Sequence, residues 1–133
     1  MILAATILFA TVFLWDLITD YNKWKKAPFD HKDKWIRGLL LLFPTMCLTV
    51  ALKQHGQGLL FSILYSLFLV NITFWTLFDG FFNVIRKLPW NYVGLPDPWD
   101  AGLDKLQRRY GWLWVVKIIV SLALKVGYVI MVL

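Results

Sequence analysis

Four apolar runs, each close to the length at which a helix crosses a bilayer, decide what this chain can fold into. They cover about residues 2–19, 35–52, 59–78 and 112–133, and a membrane-spanning helix needs roughly 20 such residues. Four spans of that length take some 80 residues of a chain of 133, which leaves no length for a separate soluble catalytic domain. The composition agrees. Hydrophobic residues make up 59% of the chain, against about 45–50% in soluble domains, and the mean hydropathy is +0.62. The expected fold is an all-α polytopic membrane protein. Residues 1–133 form one domain of four transmembrane helices, with a short interfacial amphipathic helix before the last span.

The first run, Met1 to Thr19, holds a single charge, Asp16, near its downstream end. It lacks the positive n-region and the small-residue cleavage pattern of a signal peptide, so it reads as an uncleaved helix. Five lysines follow between Asp20 and Lys34, bordered by Trp24 and Trp35, and a basic stretch between aromatics belongs at a membrane surface. Pro44 sits inside the second run and is expected to kink it. The turn over 53–58 is short enough to make helices two and three antiparallel neighbours. Ser62, Ser66 and Thr73 mark a side of helix three where another helix can approach closely. Asp97 before Pro98, with Asp100 behind, predicts the start of a helix over 98–110. Trp99, Leu103, Leu106 and Tyr110 share one face of that helix, so it is expected to lie flat on the bilayer.

The last run carries Lys117 and Lys125. Its thirteen Ile, Leu and Val residues contribute about −6 kcal/mol to insertion, whereas two central lysines cost roughly +5 to +7. A sum near zero means that this helix needs a partner, a wet lumen or snorkelling side chains in order to span.

The net charge of +6 arises from 14 Lys and Arg against 8 Asp, with no Glu. The basic residues flank spans and do not gather on a folded face, which speaks for membrane orientation and against nucleic-acid binding. The first and third loops hold most of them, so these loops are expected on the cytoplasmic side of the membrane and both termini outside. Cys47, the single cysteine, excludes an intrachain disulfide and any paired-cysteine zinc motif.

Asp16 and Asp20 are one helical turn apart, as are Asp79 and Asn83, and Lys117 lies at a similar depth. This set of five admits two readings. Asp16 or Asp79 neutralises Lys117 in an ion pair, or the carboxylate and amide oxygens form a hard-cation site able to orient a lipid phosphate. Asn71 on helix three and Ser121 and Lys125 on the last helix either line a wet lumen in an oligomer or serve helix packing and snorkelling. Arg86, Lys87, Trp90 and Tyr92 are candidates for contact with lipid headgroups, where the Pro89-Trp90 corner and Asn83 would fix the chain as it leaves the bilayer. No metal-ligand pattern, phosphate-cradling glycine loop or nucleophile triad is present, and no cofactor is expected.

Trp75, Asp79, Asn83, Arg86, Pro89, Trp90, Tyr92, Gly94, Trp99 and Asp100 together resemble a pattern in small multi-span membrane proteins of Bacteroidetes bacteria and their phages. The resemblance covers about residues 75–104. In that group a small residue often follows the arginine, where this chain has Lys87, and the Asp97-Pro98 start is particular to this chain. The resemblance implies the architecture and a mobile-element origin, and no chemistry. The expected function is a small membrane subunit, in contact with membrane lipids, that acts by self-association or by association with another membrane protein, a holin-like pore being its most concrete form. A membrane-embedded enzyme or carrier dependent on a divalent metal, using the Asp/Asn set, is the alternative.

Overall fold

A computed structural model describes residues 1–25, 34–92 and 102–133. The described residues form five helices: α1 (Ile2–Lys25), α2 (Lys34–Gln54), α3 (Leu59–Ile85), the short α4 (Gly102–Arg109) and α5 (Leu113–Val132). Four of them, all but α4, are long and apolar enough to cross a membrane.

Two helices outrun their apolar stretches. α1 continues past Thr19 to Lys25 and α3 past Phe78 to Ile85, because a charge ends a hydropathy run without ending a helix. At 1.5 Å per residue α3, with 27 residues, is about 40 Å long, some 10 Å more than a hydrocarbon core. The extra turns carry Asp79 and Asn83. α2 runs without a break through the buried Pro44. The expected short helix before the last span ends at Arg109, and its Asp97-Pro98 start, like Trp99 and Asp100, lies outside the described residues.

The helices alternate in direction. Arg37 at the start of α2 meets Asp16 late in α1 and rings near the end of α3. Lys117 early in α5 reaches Asp79 near the same end of α3. α2 and α3 are the central pair: each touches the other and both α1 and α5, whereas α1 and α5 do not touch each other.

The core falls into two parts. Near the charged end Val12, Leu41, Val70, Phe74, Phe78 and Phe82 are buried together. Phe74, Phe78 and Phe82 recur every fourth residue, which stacks their rings up one face of α3 at 5.2 and 5.7 Å. Phe13 of α1 meets Phe74 and Phe78 edge-on. At the far end Ala51, Leu52, Leu69 and Tyr128 form the second part. There Tyr65 donates to the carbonyl of Leu124 at 2.7 Å and Tyr128 to that of Leu48 at 3.2 Å. Gly127 gives the Tyr65 hydroxyl room, since a Cβ there would stand 2.6 Å from it.

Ser62, Ser66 and Thr73 are buried, on the side that takes neighbouring helices. Thr49 donates to the carbonyl of Ser62 at 3.4 Å, and the Thr73 hydroxyl lies 3.3 Å from that of Ser121.

Candidate functional site

Two cation centres lie near the charged end. The first joins α1 to α2: Arg37 donates to Asp16 at 3.0 Å, and Asp16 is only 4% exposed. The guanidinium also lies over the rings of Phe74 and Phe78, at 5.2 and 5.6 Å. A flat, weakly hydrated cation suits such a place better than an ammonium would.

The second joins α3, α4 and α5. Lys117, 6% exposed, donates to Asp79 at 3.3 Å and to the side-chain oxygen of Gln107 at 3.1 Å, and its ammonium stands 3.9 Å above the ring of Trp75. Trp75 and Asp79 are one turn apart on α3 and therefore share the face that meets Lys117. Gln107 arrives because α4 packs back on α5. A lysine in this cage has an acceptor, a counter-charge and a π-face, the three things that make a buried ammonium tolerable.

The five-residue set is thus not one cluster. Asp79 and Lys117 come together, Asp16 belongs to Arg37, and Asn83 turns to the following loop. Asp20 sits a turn beyond Asp16 on α1 and is half-buried. Among the described residues no group of three or more His, Cys, Asp or Glu side chains is placed to hold a metal ion. Arg37 and Gln107 are the residues that the sequence reading missed.

Asn83 organises the end of α3. Its amide donates to the carbonyls of Trp90 at 3.1 Å and Tyr92 at 2.8 Å, while its oxygen accepts from Arg86 at 3.0 Å. Trp90 folds back so that its indole lies against Gly80, where a Cβ would fall inside the ring, and against Phe81 at 5.3 Å. Arg86 lies over Phe82 at 4.6 Å. Its partial burial pulls the guanidinium below the ordinary arginine range, opposed by the Tyr92 phenol and by Asp79. Of the four headgroup candidates, Arg86 and Trp90 are turned onto the protein, and Lys87 and Tyr92 are exposed.

Asn71, Ser121 and Lys125 do not share a path. Asn71 is exposed on α3 and donates to the carbonyl of Leu67 in its own helix at 2.8 Å. Lys125 donates to Ser121 at 3.1 Å. It also lines a cleft of about 240 Å³ between α1 and α5, together with Ala5, Thr6, Phe9, Pro44 and Thr73. The cleft exists because α1 and α5 stand apart.

Comparison of the chain with protein-family models, with curated proteins and with solved structures finds no match.

Proposed function

We propose that the protein is a membrane subunit that acts by self-association within the bilayer. The observation that carries this reading is Asn71. It lies about 18 Å from the start of α3 at 1.5 Å per residue, near the middle of the helix, and it is exposed among Leu64, Leu67 and Phe68. Its own helix satisfies one N–H. In hydrocarbon the rest of the amide has no water to bond, and the same amide on a second copy is a matching donor and acceptor.

The holin-like version asks for lysines along a wet lumen. Lys117 is taken up inside the chain by Asp79, Gln107 and Trp75, so only Lys125 is left for that role, and association is the better supported part of the reading. The metal-dependent alternative loses its support when Asp16 and Asp79 each face a cation of their own chain.

Energy transfer between donor- and acceptor-labelled copies in lipid vesicles tests this. Asn71→Leu is expected to weaken association by roughly three- to tenfold. An unchanged association constant would overturn the reading. Dye release from the same vesicles distinguishes a conducting assembly, sensitive to Lys125→Leu, from a closed one.

A further inference from the structure

The cleft between α1 and α5 presents a cation that, among the described residues, has nothing of opposite charge beside it. Lys125 is half-buried, and its one hydrogen bond among the described residues is to Ser121, one turn back along α5. Ser121 is eight residues from Leu113 and eleven from Val132, about 12 and 17 Å. The ammonium is therefore drawn toward the centre of the span, away from the nearer surface, the reverse of snorkelling.

Among the described residues no side-chain carboxylate lies at that depth. Its acids are eight aspartates. Asp16, Asp20 and Asp79 lie toward the opposite, charged end of the helices, and the other five stand by sequence between α1 and α2 or between α3 and α5. A second copy inserted in parallel therefore brings no counter-charge. Lipid phosphates and carboxylates ride at the interface, about 15 Å from the centre of the hydrocarbon. What can bring a carboxylate to mid-depth is another transmembrane helix. The size of the cleft agrees: about 240 Å³ is less than the roughly 300–1,000 Å³ of a small-molecule site, and it suits side chains reaching in from a helix laid across the opening. Thr6 and Thr73 add hydroxyls to the wall.

We propose that the α1/α5 cleft is the docking site for a transmembrane helix of a different protein, one that carries an Asp or Glu near its midpoint and pairs it with Lys125. The site lies on another side of the molecule from Asn71. Asn71 is offset from the cleft-lining Val70 and Thr73 by about 100° and 200° around α3, so this docking does not depend on self-association.

The test uses the full-length chain in phosphatidylcholine vesicles, with energy transfer to synthetic single-span Leu-Ala helices that carry Asp, Asn or Leu at the centre. The Asp helix is expected to bind roughly tenfold more tightly than the Leu helix. Lys125→Met should abolish that preference, and Lys125→Asp should transfer it to a helix with a central Lys. Asn71→Leu should leave it intact, which separates this site from the self-association surface. Equal binding of the Asp and Leu helices, or a preference that survives Lys125→Met, would overturn the proposal. So would loss of the preference when oleate is added to the vesicles, which would assign the site to a lipid carboxylate.

Discussion

Asp16 and Asp79 stand near the same end of the bundle and each meets a cation, yet they hold unequal shares of the fold. The Asp16 and Arg37 side chains are 6% and 24% exposed, whereas Asp79 is 38% exposed beside its nearly buried Lys117. Removing one member of a well-buried pair leaves the other uncompensated, at about 3–5 kcal/mol. We therefore expect Asp16→Leu to cost roughly 3 kcal/mol, and the double variant with Arg37→Leu to recover most of it. Asp79→Leu should cost roughly 1 kcal/mol, because Gln107 and Trp75 still hold Lys117 and solvent reaches the vacated place. Thermal unfolding in detergent micelles measures both, and equal losses would contradict the ranking. Gly80 is the other position where a single atom matters. Gly80→Ala should destabilise by roughly 1–3 kcal/mol through displacement of the Trp90 indole, and should be near neutral in a Trp90→Ala background. Depth alone narrowed the partner of Lys117 to Asp16 or Asp79, and the packing of α5 on α3 selects Asp79. Arg37 and Gln107 were not legible, because their partners depend on how α2 is rotated about its axis and on α4 folding back, and spacing encodes neither.

At the scale of the element, α2 and α3 end in the same way. In both a residue in the left-handed region closes the helix: Gly56 at φ +83° and Lys87 at φ +61°. The amides that follow return to the last turn, Gln57 to Leu52 and Gly56 to Lys53 in one case, Leu88 to Asn83 and Lys87 to Val84 in the other, which is the Schellman pattern. Glycine adopts that backbone freely, whereas lysine gives up about 1–2 kcal/mol. Lys87→Gly is therefore expected to stabilise the protein by about 1 kcal/mol, read as a rise in Tm, and a fall would show that the lysine side chain contributes something the backbone does not. The expected turn over 53–58 marked the stop of α2, whereas nothing in the sequence reading marked that of α3. Asp79 ended the apolar run, while the residues up to Ile85 kept the helix going to a cap that only a small residue at Lys87 would have announced.

Across the whole molecule, four long apolar runs were enough to read four long helices, and the short turn over 53–58 to make the second and third antiparallel neighbours. Which helix packs on which was not readable, since any of the apolar faces can pack on any other; the Phe74, Phe78, Phe82 ladder buries its face of α3 with Val12 of α1 and Leu41 of α2. The charged end, with Arg37, Arg86 and Lys117, is expected to face the cytoplasm. A Cys47→Ser chain with a new cysteine at either terminus should react with a membrane-impermeant maleimide from outside intact cells, and protection of both termini would reverse the orientation. The packing of α5 also has a bearing on how the chain is made. On insertion energies alone the two lysines of this helix offset its Ile, Leu and Val residues. Two of its polar side chains find partners elsewhere, Lys117 on Asp79 and Gln107, and Ser121 on Thr73. α3 and α4 precede it in the chain, so when α5 leaves the ribosome the groups that partner its polar side chains have already been synthesised. Order of translation thereby becomes part of what holds the last helix in place.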